Sequence, residues 1–468
     1  MVFYQRSTLA TLLFLGLIRF SVVECRRNLL LESYVTYPAI NCRKHTALLT
    51  DFGGNGDGIA SNTAVFQAAV QNLSQVADDG GAQLIVPPGK WLTGSFNLTS
   101  HFTLFIQSGA IILASQDAGE YPLVEPLPSY GQGRDGPGGR FSSLIGGSHL
   151  TDVVVTGDNG TIDGQGSVWW KKFNRKKLRN TRPYLIELMY SNQVQISNLT
   201  LIDSPSWFVH PVYSSDIIIQ DITIRAPVDS PNTDGINPDS CNNVKIQDVN
   251  VVSGDDCVAV KSGWDEYGIQ LGLPTERVII RRLICNSPNG AVIALGSEMP
   301  GGIRNVRAED ITAINSQSGI RIKTSPGRGA YITDIFVDGM NLQSIDCVFW
   351  TTGSHGEHPD LSYDAKALPV IDRINYRNVV AEDVKMVGNM GGIDGDPFTG
   401  FCLSNVTIGF GTQQENLVWN CTDVSGVSSN VIPEPCDVLA EKGPSDCEYP
   451  PDPIPIDIVE LKSCSFST

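Results

Sequence analysis

Positive charge is scarce in this sequence of 468 residues: 33 Lys and Arg stand against 50 Asp and Glu, a formal charge of −17. Such a chain has no global positive field to draw in a polyanion, which argues against nucleic acid as a partner. An acidic polymer held by a few local cations remains compatible. Histidine is sparse, with six in all, and no Cys-x-x-Cys pair or His cluster suggests zinc. After residue 23 no stretch is apolar and long enough to span a bilayer. The early glycine run, Gly53-Gly54-Asn55-Gly56-Asp57-Gly58, has no strand before it and no Lys-Ser/Thr after it, which argues against a phosphate loop.

The N-terminus reads as a secretory signal. Arg6 precedes an apolar run from Leu9 to Val23, and cleavage is expected between Ser21 and Cys25, so residues 1–25 form the signal peptide. Arg19 interrupts the run, and a signal anchor is the alternative. Eleven cysteines and six sequons, at Asn72, Asn97, Asn159, Asn198, Asn405 and Asn420, agree with export to the extracellular space or cell wall. Cys241 and Cys257 are placed to staple adjacent units. Cys402, Cys421, Cys436, Cys447 and Cys464 crowd the C-terminal end, with connectivity open.

A short pattern recurs through the middle of the chain: Asn or Asp, a branched aliphatic, a polar residue, another aliphatic. Aligned on the first aliphatic it gives Val194, Ile217, Val244, Val278, Val306, Ile335 and Ile374, at intervals of 23, 27, 34, 28, 29 and 39 residues. Periods of this size signal a repeat architecture. Alternation at period 2 within each unit signals strands, and no helical periodicity intervenes. An all-β parallel β-helix fits best, as one domain over residues 26–430, followed by a Pro/Cys-rich tail at 431–468 with little regular structure. Coils are expected to run to about residue 410, after an irregular lead-in at 26–50. Thr63, Phe66, Val70 and Leu73 fall at helical spacing behind Ser61 or Asn62, and this helix caps the open end of the solenoid. Residues 116–143 read as a long loop. Lys171, Lys172, Arg175, Lys176, Lys177 and Arg179 form a basic island, either a solvated loop or a rim that grips a polyanion. A monomer is expected.

Charged residues gather between Asn232 and Lys323. Asn232 and Asp234 share one side of a strand, and Asp255 follows Asp234 by 21 residues, about one coil. Neighbouring strands lie about 4.8 Å apart, so these side chains can stack. Asp255 and Asp256 cannot both leave one face of a regular strand; a turn or bulge after Gly254 would allow it. If Ile322 points inward, Arg321 and Lys323 both point out. Crowded carboxylates raise at least one pKa, and glycoside hydrolysis needs one protonated and one ionised carboxyl. Arg321 and Lys323 suit a ligand carboxylate, Arg bidentately and Lys as a point charge. Asp and Asn also serve as turn formers in such folds, and that reading is preferred for Asp248 and Asp310.

In order, Asp51-Phe52-Gly53, Asn159 to Gly166, Asn232-Thr233-Asp234, Gly254-Asp255-Asp256, Gly296-Ser297-Glu298-Met299 and Arg321-Ile322-Lys323 resemble glycoside hydrolase family 28, the polygalacturonases, and its plant polygalacturonase-like branch. The resemblance covers most of the chain. It implies a single-stranded right-handed parallel β-helix of the pectin-lyase-like kind. It also implies hydrolysis of α-1,4-galacturonosyl bonds in pectin, with inversion and without metal or other cofactor. By the same resemblance Asp255 is the general acid, and Asp234 and Asp256 hold and deprotonate the water. Asn232, Arg321 and Lys323 bind substrate.

The sequence departs from the family pattern at one point. The family places Gly-His-Gly one coil after the Asp pair, whereas this chain reads Pro288-Asn289-Gly290. Asn289 can hydrogen-bond but cannot carry a proton near neutral pH. His210, about one coil before Asp234, could face the same cleft as a substrate-binding residue; His355 and His358 are further candidates, and Trp264 and Tyr267 could line the sugar path. Three alternatives stay open: a calcium-dependent lyase on the same fold, a pectin-binding protein without turnover, and a hydrolase of rhamnogalacturonan or xylogalacturonan.

Overall fold

The computed structural model describes residues 43–411, 417–451, 454–459 and 461. The signal peptide expected at residues 1–25 and Cys464 lie outside the described residues. The aliphatics aligned in the sequence are one register column. Val194 pairs with Ile217, Ile217 with Val244, Val244 with Val278, Val278 with Val306, Val306 with Ile335 and Ile335 with Ile374, always in parallel. All seven are buried, stacked along the axis of a parallel β-helix. Each coil buries its apolar side only against the coils before and after it.

The turn chemistry is equally regular. Each aligned aliphatic follows a residue with left-handed backbone: Gln193, Asp216, Asn243, Arg277, Asn305, Asp334 and Arg373, all with φ of 54–58°. A second such column, Asn198, Asp221, Asp248, Arg282 and Asp310, falls inside five successive long strands. Asn and Asp tolerate this conformation best among residues with a side chain, because their short polar groups bond locally. Asp248 and Asp310 are therefore turn residues.

Helix Thr63–Ser74 closes the N-terminal end and buries Phe66, Ala69, Val70 and Leu73, with Phe66 stacked on Phe96 at 4.4 Å. Asn62 precedes it without capping it; its amide donates instead to the carbonyls of Asn55 and Leu92. No described helix is long and apolar enough to cross a membrane.

Four expectations are corrected. The lead-in is ordered by residue 45: strand His45–Leu48 pairs with Ala82–Val86. The winding passes residue 410, because Val424–Ile432 pairs with Phe398–Phe410. The basic island begins on a helix, Ser167–Asn174, whose Trp169 is buried. Cys241 is not stapled to Cys257: the disulfides among the described residues are Cys257–Cys285, Cys402–Cys447 and Cys421–Cys436, and Cys241 is a buried thiol. The tail folds back on the helix, where Ile454 and Ile456 pack on Ile218 and Ile279.

One face positions the site. Strand Ile186–Met189 pairs with Val209–Val212, and Val209 bridges to Ile236, which bridges to Val258. Val258–Val260 then pairs with Ala291–Gly296, and that strand pairs with Ser318 to Lys323. Residues that enter these strands form one rim of a cleft, and residues that leave them form the other.

Candidate active site

Asp234, Asp255 and Asp256 converge on the entering rim, with one carboxylate oxygen of each within 4.8 Å of the others. The turn at residues 253–256 lets consecutive aspartates share the cleft: the Asp256 amide donates to Asp255 Oδ1 at 2.9 Å, which turns the Asp255 carboxylate back over its neighbour. Two close approaches need glycine. A Cβ on Gly254 would meet the Ser230 carbonyl oxygen at 2.0 Å, and one on Gly290 would meet the Asp255 backbone at 2.3 Å.

The three carboxylates have different surroundings. Lys323 Nζ lies 2.6 Å from Asp256 Oδ2, and the Ala291 amide donates to its other oxygen at 2.8 Å. Burial opposes the Asp256 charge, but Lys323, the Ala291 amide and Lys261 together outweigh it and hold this carboxyl below the usual range. Asp255 has only the amide of Asp256 and a 3.4 Å bond from Asn232 Nδ2. Burial first, and the charge of Asp256 second, push Asp255 up to about 6. Asp234 is pushed up too, by burial and then by Asp255; its nearest cation, Lys261, stands 3.9 Å away. The cluster thus holds an ionised member beside a pair that retains a proton in mild acid. Like charges at such distances cannot all ionise.

The cleft holds about 500 Å³ and is lined also by Arg134, Phe173, Tyr184, Trp207, Asn289, Glu298, Gln317, Arg321 and His355. Arg321 and Lys323 both point into it around buried Ile322, as strand alternation requires. Their situations differ. Lys323 is engaged by Asp256. Arg321 stacks on the Trp350 ring at 4.1 Å and donates to Gln317 at 2.8 Å, while its Nε is buried with no hydrogen-bond partner. A guanidinium with spare donors fits a ligand carboxylate. Asn232 lines the cleft, but its Oδ1 accepts from Arg182 at 2.8 Å and its amide reaches Asp255, so it orients the carboxylate.

His210 is a correction. It has no exposed surface and does not line the cleft. Its nitrogens sit 2.9 Å from Glu187 and 3.3 Å from Asp239. Its ring lies edge-on to Tyr184 and Trp207, which stack on each other at 4.8 Å and face the cleft in its place. His358 binds Asp265 at 2.6 Å, Trp264 packs beneath Arg134, and Tyr267 bonds Asp360, all away from the lining. His355 does line the cleft; burial, then Lys323, pushes it down to about 4, so it is neutral. The basic island contributes no cation to the lining; only Phe173 of its helix reaches the cleft.

Sequence reasoning gave no role to Lys261 or Arg134, nor to Glu298 beyond its place in the Gly296-to-Met299 motif. Lys261 Nζ donates to Glu298 at 2.8 Å and lies over the Trp207 ring at 4.5 Å, and Arg134 reaches the other Glu298 oxygen at 2.8 Å. Lys261 and Glu298 each follow a strand of the face, a position that alternation and register would have exposed. Arg134 sits in a loop that no periodicity reaches.

The family model described as glycosyl hydrolases family 28 matches residues 132–430. A probable polygalacturonase of Vitis vinifera is 61% identical over 446 residues, 95% of this chain and 91% of that protein. The exopolygalacturonase structure from Thermotoga maritima superposes with a TM-score of 0.70 at 26% identity, covering 84% of this chain and 93% of that one. A polygalacturonase structure from Erwinia carotovora gives 0.66 at 22% identity, over 85% and 99%, a likeness of fold. The fold, the ordered motifs and these matches agree: the chain belongs to glycosyl hydrolases family 28.

Proposed function

We propose that this protein is a secreted hydrolase of α-1,4-galacturonosyl bonds in pectin. Asp255 protonates the leaving oxygen, Asp256 deprotonates the attacking water, and Asp234 helps to hold that water. Arg321 grips the uronate carboxylate of the substrate. The observation that carries this reading is one carboxylate cluster whose members have unlike surroundings, in a cleft also lined by Arg321 and Lys323. Carboxyls whose surroundings push their acidities apart mark an acid and a base. No residue in this scheme requires a metal.

The test is reducing-sugar release from polygalacturonate by the purified protein across pH. Asp255 must keep its proton, so activity falls as pH rises through about 6. Asp256 must stay ionised, and its depressed pKa carries the acid limb below the ordinary aspartate value of 3.8. The expected profile is an acidic bell. An optimum above neutrality sinks the assignment. Inversion is taken from the family resemblance, since the 4.8 Å approach of the oxygens is shorter than the usual inverting separation of about 6.5–9.5 Å. Proton NMR of the first product is expected to show the β-anomer.

One observation favours a second reading. Asn289 lines the cleft in a segment that lacks the histidine of the family pattern, and its amide is tied to the Val228 carbonyl at 2.7 Å. It can position a partner but not exchange a proton. A pectin-binding protein without turnover would bind galacturonan and release no sugar over the whole pH range, with wild type and the Asp255→Asn variant alike.

A further inference from the structure

Arg134 and Asp135 both line the cleft. Arg134 and Asp135 are neighbours, yet they reach opposite rims. Arg134 Nε bonds Glu298 at 2.8 Å, on the rim that leaves the strands, and its Nη2 bonds Glu357 at 2.8 Å in the loop after Gly353. Asp135 takes Arg182 on the entering rim, with Oδ2 at 2.8 Å from Nε and Oδ1 at 3.1 Å from Nη2. A segment whose consecutive side chains hold both rims lies over the space between them.

Arg182 makes this closure firm. It has no exposed surface, stacks on Phe173 at 3.9 Å, and donates to the carbonyls of Pro205 at 3.1 Å and Pro231 at 2.9 Å. Its remaining donor goes to Asn232 Oδ1 at 2.8 Å, and Asn232 in turn contacts Asp255. The chain Asp135–Arg182–Asn232 therefore ends at the candidate acid. Asn232 stands one coil before Asp255, about 4.8 Å along the axis. That run is comparable to one sugar ring. In the other direction the lining continues through exposed Asn289 and half-buried Gln317 and Arg321. Buried charge-assisted bonds of this kind do not yield to a passing polymer, because an opened bridge strands desolvated charges. Specificity built by obstruction works by excluding the longer ligand.

We infer that the strap formed by Asp135, Arg182 and Asn232 makes this protein end-acting: it admits the terminus of a uronate chain up to Asp255 and excludes internal cleavage. This rests on the hydrolase reading above.

The experiment is a time course on polygalacturonate with products resolved by anion-exchange chromatography and viscosity followed in parallel, for wild type and Asp135→Ala. The expected wild-type result is one short product from the first time point, with viscosity lagging behind bond cleavage. Asp135→Ala is expected to add a ladder of longer oligomers and an early fall in viscosity. A ladder from wild type overturns the inference and leaves the hydrolase reading intact. A single short product from both proteins overturns the role of the strap. If no sugar is released, the hydrolase reading fails by itself, and titration with oligogalacturonides decides the geometry. Binding that is lost when one chain end is chemically blocked supports a closed end; equal affinity for blocked and free oligomers overturns it.

Discussion

Asp255→Asn is expected to yield a folded protein that holds galacturonan and hardly cuts it. A positioned proton donor contributes about 10²–10⁴-fold to rate, and kcat should fall by that factor while KM moves little. The amide keeps the shape of the carboxylate and can accept from the Asp256 N–H as Oδ1 does now. Its other arm meets a donor, the Asn232 amide at 3.4 Å, whose oxygen is already committed to Arg182. One weak bond is therefore lost, and one buried charge with it, so thermal stability should change little. The control is Asp310→Asn, the same atomic change at a left-handed turn position with φ 56°. Asn tolerates that conformation, so kcat should be unchanged. A fall of less than tenfold for Asp255→Asn would move the proton donor to Asp234, the other carboxyl that burial pushes up.

The contrast between Asp255 and Asp310 also shows what the sequence could convey. Period-2 alternation and the Asn/Asp step before each aliphatic are local signals, set by strand geometry and by the residues that accept left-handed backbone. They placed the register column from Val194 to Ile374 without error in any pair. They also brought Asp234, Asp255, Asp256, Arg321 and Lys323 to one cleft, since coil stacking turns sequence period into axial distance. Local signals stop at the loops. Arg134 meets Glu357 across 223 residues and Arg182 meets Asp135 across 47, contacts that no repeat encodes. His210 shows a different limit. It lies on a strand of the site face, yet Tyr184 and Trp207 cover it, and the depth of a side chain depends on the neighbours that overlie it. Cys241 was misassigned for a related reason: Cys257 and Cys285 occupy facing coils at a Cα separation of 6.1 Å, within bridging range, and sequence spacing does not reveal which coils face each other.

Lys323→Met should be the most damaging single change in the cleft, because it acts on charge and stability together. In the native protein Lys323 holds Asp256 ionised at 2.6 Å in a site where Asp256 is nearly inaccessible. Removal of one partner from a buried pair costs about 3–5 kcal/mol, since the other charge is left uncompensated. The sign follows from linkage. Asp256 has a folded pKa below its unfolded one, so its pairing stabilises the protein above the ordinary aspartate range and that stabilisation is lost as pH falls through the folded value. In the variant burial acts unopposed by Lys323 and raises Asp256, so the deficit in guanidinium unfolding should be largest near neutrality and shrink in acid. Activity should fall by at least about 10²-fold, because a protonated Asp256 cannot take a proton from water. Lys323→Arg, which keeps the charge in a wider fork, should restore most of the stability and only part of the rate. If Lys323→Met unfolds at the wild-type denaturant concentration at every pH, Asp256 is not the ionised member of the cluster, and the division of labour among the three aspartates must be redrawn.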